Sequence, residues 1–300
     1  MKWFRDIGPG VLIAAAFIGP GTVTLCTIAG ASFGYSLIWA IILSTFSTIV
    51  LQEMSLRIGL VTRMNLAEVI RASIKSVLLN RFIIVLIISS ILIGNAAYEA
   101  GNITGASLGI SAIINNQSVN YFPILIGLIA FIILYQGNYK ILERSLISLV
   151  LLMSISFFIT AIMTKPDITN MLNGIFKPKV NSDNLFIILG LIGTTVVPYN
   201  IFLHSSLVSE KWNSIHKLRV ARLESFISIL LGGLISLSII ITAASVTNQN
   251  ITGVIDLAKG LEPLYGKFAI YFLGIGLFAS GITSSITAPL AAAYVAKSCF

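Results

Sequence analysis

The 300 residues are 56% apolar and only 10% charged, where a soluble domain carries about 25% Asp, Glu, Lys and Arg; water is excluded as the main solvent of this chain. The net charge of +8 comes from basic residues scattered through connectors without interleaved aromatics, which argues against nucleic acid as a partner. A β-barrel is excluded as well, because stretches such as 82–92 and 146–155 are apolar on every face rather than alternating.

A hydrocarbon core about 30 Å thick is crossed by about 20 apolar helical residues. Eight stretches are expected to do so: 9–31, 36–56, 82–110, 121–139, 145–163, 184–208, 225–246 and 268–296. The first is too long and too interrupted for a secretory signal and is expected to stay as a helix. At its centre stands Gly19-Pro20-Gly21, and proline removes a backbone donor and clashes with the preceding turn, so the helix should open there. Thr22 abuts that opening; Thr24 and Thr27 are expected to bond back to helix carbonyls.

In the second span Glu53 stands four residues before Arg57, the spacing of a local ion pair. Residues 65–76 then read as an amphipathic surface connector. The third span carries Glu99 with Asn95 and Asn102 on nearby helical faces. A carboxylate at that depth is costly to insert and marks a candidate ion or proton pathway. Gly101, Gly105 and Gly109 have the spacing of a close helix-packing face.

The sixth span repeats the interruption as Val197-Pro198-Tyr199, followed by His204, a further candidate for the proton pathway. Freed backbone at membrane depth is tolerated only against protein or a water-lined cavity. Two matched breaks, five spans apart, point to an inverted repeat with a substrate site between discontinuous helices 1 and 6. The expected organisation is a first repeat over 1–164, an extracellular loop over 165–183 and a second repeat over 184–300. Residues 211–222 form a basic surface connector, and Cys26 and Cys299 lie in apolar spans without metal-ligand spacing.

With the N-terminus in the cytoplasm, Lys165, Lys177, Lys179, Lys259 and Lys267 fall outside and the rest of the 19 basic residues inside. That bias predicts a multi-pass plasma-membrane protein with a cytoplasmic N-terminus. No metalloprotease, nucleophile-elbow or phosphate-loop motif is present, so neither an enzyme nor a bound cofactor is expected.

Gly8-Pro9-Gly10, Gly19-Pro20-Gly21-Thr22 and the stretch from Ala29 to Ser36 resemble the first span of the Nramp divalent-metal transporters, whose break reads Asp-Pro-Gly-Asn. Gly190-Leu191-Ile192-Gly193-Thr194-Thr195-Val196-Val197-Pro198-Tyr199-Asn200 with Leu203-His204-Ser205 is similar to that family's Gly-Leu-Ile-Gly-Ala-Thr-Val-Met-Pro-His-Asn and Leu-His-Ser. Ala279-Ser280-Gly281 and Ser284-Ser285-Ile286-Thr287 are similar to its eighth span. The resemblance implies an all-α membrane protein of the LeuT-type fold. It also implies a metal site between spans 1 and 6, with the metal as transported substrate.

Carried over residue by residue, the family's ligand positions are Gly19, Thr22, Thr194 and Val197, with Tyr199 in place of a histidine and Asn200 beside it. The family's two acids of span 3 match Glu99 and Asn102. Lacking the aspartate and the thioether, such a site offers oxygen donors from Thr22, Thr194 and opened backbone, a set suited to hard ions such as Mg²⁺. The implied function is secondary transport of a divalent cation of the Mn, Fe or Mg class, with proton symport an open option. The alternatives are transport of a different small solute and an inactive remnant. The family has at least ten core helices, so a second repeat ending at Phe300 is expected to be truncated. Oligomeric state is not legible.

Overall fold

The computed structural model describes residues 18–114, 121–136, 140–212, 214–245, 256, 258, 266 and 268–299; at 140–147, 149, 150, 152 and 153 it describes the backbone alone. Gly8-Pro9-Gly10 and residues 9–17 of the first expected span lie outside the described residues.

Proline, which cannot continue a helix backwards from itself, starts the first described helix. α1 runs Pro20–Phe33 from an extended Gly19. Its 14 residues rise about 21 Å, too short to cross a bilayer alone. Gly34, at φ 57°, closes it and leads through a 3₁₀ turn, Gly34–Leu37, into α2, Ile38–Thr62. α3, Leu66–Ser73, is the expected amphipathic connector and starts with a capping box of Asn65 and Glu68.

α4, Val77–Ile114, is longer than the expected third span; at 38 residues it rises about 57 Å, so it must tilt or extend past the hydrocarbon. α5 spans Phe122–Gln136 and α6 Lys140–Met163. The stretch 165–183, expected as an extracellular loop, contains a short helix, α7, Ile168–Phe176. The Asp167 carboxylate accepts from the backbone N–H groups of Thr169 and Asn170 at 2.9 and 3.1 Å, which makes Asp167 the cap that begins it.

The sixth span is two helices. α8, Ser182–Thr195, ends at Val196, and α9, Pro198–Lys211, begins after an extended Val197. α10, Leu218–Ser245, and α11, Phe268–Cys299, complete the described elements, with a short 3₁₀ turn, Ile215–Lys217, before α10. Among the described residues there is no strand.

α11 is the central element: it packs along α4, while α10 lies against α1 and α2, and α9 against α2. In its most apolar window 72% of α11 is buried, against 6% of α4, so that stretch of α4 faces outward. Leu78, Ile93, Phe131 and Phe186 are all more than half exposed, and such an apolar belt is stable only against hydrocarbon. Among the described residues, five stretches are long and apolar enough to cross a membrane. The chain is a multi-pass membrane protein.

Candidate functional site

In an α-helix the carbonyl of residue i accepts the N–H of residue i+4. Proline has no N–H, so Pro198 leaves the Thr194 carbonyl without its helical donor. The neighbouring carbonyls take donors from other helices: Tyr98 of α4 donates its hydroxyl to the Gly193 carbonyl at 2.9 Å, and Thr48 of α2 donates to the Thr195 carbonyl at 3.2 Å. The Thr194 hydroxyl turns back to the Leu191 carbonyl at 3.3 Å. The opened turn is thus held from both sides, with Thr194 between the two grips.

That turn borders a cavity of about 410 Å³. The end of α1 contributes Gly19, Gly21 and Thr22; α4 contributes Gly94, Ala97, Tyr98, Gly101 and Asn102; the break contributes Thr194, Val197 and Tyr199. The Tyr98 and Tyr199 rings meet edge to face with centroids 5.5 Å apart. None of the lining residues is charged. The C-terminal end of α8 supplies the negative pole of a helix dipole. Six waters occupy about 180 Å³, so the cavity accommodates an ion that keeps a full octahedral water shell.

Of the residues singled out in the sequence, the structure gathers Gly19, Thr22, Thr194, Val197, Tyr199 and Asn102 around this cavity. Glu99, Asn200 and His204 do not line it. Glu99 faces Ser285 of α11 and Asn102. Asn200 is 1% exposed, with neither amide atom partnered. His204, equally buried, pairs through Nδ1 with Gln52 Oε1 at 2.8 Å and leaves Nε2 without a partner.

The glycine series of α4 does not form one packing face, and that expectation is corrected. A Cβ on Gly105 would overlap the Pro20 ring and one on Gly109 the Gly274 carbonyl, but one on Gly101 would meet nothing within 4 Å. Gly101 lies where α4 borders the cavity, so nothing packs on it. Thr27 does bond back to the Val23 carbonyl, at 2.8 Å. Glu53 pairs with Arg57 as expected, and also with Arg222 of α10, each at 2.6 Å. Sequence reasoning missed Tyr98 and Gln52. The available signal was a polar side chain inside an apolar span, next to Glu99 in the first case.

Known proteins resemble the chain over nearly its whole length. The divalent metal cation transporter MntH of Caldanaerobacter subterraneus subsp. tengcongensis is 28% identical over 308 residues, covering 99% of the chain and 72% of that protein. The metal transporter nramp1 homolog of Dictyostelium discoideum is 30% identical, covering 96% of the chain and 55% of its own length. The crystal structure of the Eremococcus coleocola manganese transporter, in complex with an aromatic bis-isothiourea substituted compound, superposes with a TM-score of 0.80 at 21% identity. It covers 100% of the chain and 67% of that structure, and establishes the fold as that of these transporters. A family model described as natural resistance-associated macrophage protein-like, Nramp, matches residues 10–300, and with the fold, the opened turn at Pro198 and these relatives in agreement, the chain belongs to the Nramp family.

Proposed function

We propose that this protein carries a divalent metal cation across the membrane as a secondary transporter, through the cavity between α1, α4 and the α8–α9 break. The observation that carries the reading is the Thr194 carbonyl, deprived of its helical donor by Pro198 and flanked by two carbonyls that each accept a side-chain hydroxyl from another helix. Thr22 and Thr194 are the metal-facing residues, with Gly19, Val197, Tyr199 and Asn200 shaping the site. Glu99, Asn102 and His204 form the polar route beside it. No enzymatic step is assigned to the chain, and residues 1–164 and 184–300 are its two repeats.

Nothing in the cavity wall offers sulfur or imidazole, and oxygen donors suit Mg²⁺, Ca²⁺ and Mn²⁺. A Cβ on Gly19 would lie 3.4 Å from Ser284 Oγ, an ordinary contact, so the backbone there has room for a side chain to begin. Calorimetric titration of the purified protein should show weak binding that favours Mg²⁺ over Cd²⁺, and the Gly19→Asp, Val197→Met double variant should gain Cd²⁺ and Mn²⁺ affinity. Tight Cd²⁺ binding by the unmodified protein would overturn the hard-ion reading.

The uncharged wall also favours a second reading, in which the cargo is another small solute. Failure of every metal to bind, even in the double variant, would select it. For topology, the proposal places the N-terminus in the cytoplasm of a plasma-membrane protein: cysteine at Lys177 should react with an impermeant thiol reagent from outside, and cysteine at Ser214 should not.

A further inference from the structure

α7 is too short to be a span. Its nine residues, Ile168–Phe176, rise about 14 Å, under half of the hydrocarbon thickness. The residues that part it from α6 include Pro166 and Lys165, which lies in the left-handed region at φ 47°, so the chain turns as soon as α6 ends. On its inner side α7 is fastened across the turn between α1 and α2. A Cβ on Gly174 would overlap the Tyr35 carbonyl, the Tyr35 hydroxyl meets the Asp167 backbone, and Met171 and Ile175 pack against the core.

At about 3.6 residues per turn, the surface of α7 divides into three stripes. Met171, Gly174 and Ile175 make the inner one. Thr169, Asn170 and Asn173, all exposed, make a polar one. Between them Ile168, Leu172 and Phe176 form an apolar stripe that is 70%, 49% and 76% exposed.

A helix surface shared among protein, an apolar medium and water fits the edge of a bilayer. The flanking helices face the same medium: Ile162 and Met163 at the end of α6, and Phe186 and Leu189 on α8, are each at least half exposed and belong to the belt that needs hydrocarbon. Lys165 and Lys177, exposed at the two ends of α7, can lay their stems on the apolar boundary and set their charges among phosphates. A protein partner fits less well, since a stable interface takes about 20–30 residues from each side and the stripe supplies only Ile168, Leu172 and Phe176.

We propose that α7 is an interfacial helix, docked by Ile168, Leu172 and Phe176 into the boundary between headgroups and acyl chains of the adjoining phospholipid leaflet. Its seat on the α1–α2 turn holds it level, so that the apolar stripe meets the chains while Asn170 and Asn173 meet water. The partner is the lipid surface itself. The proposal rests on the membrane class of the chain and is independent of its cargo.

The test uses the full chain in phosphatidylcholine nanodiscs, with Cys26→Ala and Cys299→Ala, one of Leu172→Cys, Phe176→Cys, Asn170→Cys or Asn173→Cys, and a bimane label on the introduced thiol. Lipid brominated on the acyl carbons nearest the headgroup should dim the labels at 172 and 176 and leave those at 170 and 173 bright, and iodide in the water should quench the second pair severalfold more than the first. Equal iodide quenching at all four positions places the stripe in water. Shielding of 172 and 176 from both quenchers places another protein, or a second copy of this chain, on the stripe. Either result overturns the proposal. A label can itself favour lipid, so the unsubstituted protein is also irradiated with phosphatidylcholine carrying a diazirine near its headgroup. Crosslinks should fall on Ile168, Leu172 or Phe176; their absence there while Phe186 is marked overturns the proposal as well.

Discussion

The two halves of the span broken at Pro198 are equal in length and held in opposite ways. α9 is fastened to α2 and its extension along its whole course. The Ser55 hydroxyl donates to the Ile201 carbonyl, His204 pairs with Gln52, the Leu66 N–H donates to Ser205 Oγ at 2.9 Å, and Arg63 donates to the Trp212 carbonyl at 2.8 Å. α8 is gripped by side chains from other helices at its last turn, through the Gly193 and Thr195 carbonyls. Above that turn it relies on apolar contact, as where Leu25 packs on Gly190, and it exposes Leu185, Phe186 and Leu189. Hydrogen bonds fix register and apolar contacts permit sliding, so the break at Val196 and Val197 joins a clamped half to a half tethered at one end.

If the clamp is real, the largest effect should come from Gly59→Val. A Cβ there would overlap the Ser205 backbone, and overpacking of this kind costs about 3 kcal/mol. Thermal unfolding in detergent should show a large fall. Gly193→Ala in α8, where a Cβ meets nothing within 4 Å, should leave the transition in place. Equal falls in the two variants would erase the distinction between the halves.

Gln52→Leu comes next, because it strips His204 Nδ1 of its acceptor in a site where both residues are 1% exposed. An unsatisfied buried donor costs about 1–3 kcal/mol, and Gln52→Glu, which keeps an acceptor, should recover part of it in the same unfolding assay. Tyr98→Phe removes one of the two grips on α8 and should cost about 1 kcal/mol. A cysteine at Thr194 should then label faster with a small thiol reagent than it does beside the intact tyrosine. Arg222→Ala opens the exposed bridge between α2 and α10 and should cost at most about 1 kcal/mol, fading further in high salt.

The break at Pro198 was legible because proline acts on its own turn, whatever the rest of the chain does. The Glu53–Arg57 pair was legible for the same reason, since every atom involved lies within four residues. Arg222 was not, because its place beside Glu53 depends on α10 packing against α2. Gly101 was misread because periodicity places it on the face of Gly105 and Gly109 but does not say where the neighbouring helix parts from α4. Asp167, a helix cap within an expected loop, could have been found from Asp placed just before Ile168, Met171, Leu172 and Ile175, an apolar face at helical spacing.

The hydrogen bond between Leu66 and Ser205 joins positions 139 residues apart. A ribosome adding about 5–20 residues per second delivers Ser205 on the order of ten seconds after Leu66. Throughout that interval the second span lies in the bilayer with the Gly59 notch vacant. α3, with eight residues, is too short to hold its helix alone, although Asn65 and Glu68 close its first turn through two mutual bonds of 3.0 Å. Assembly of this protein is therefore out of step with its synthesis: an early segment reaches its final place only when a late one arrives to lock it.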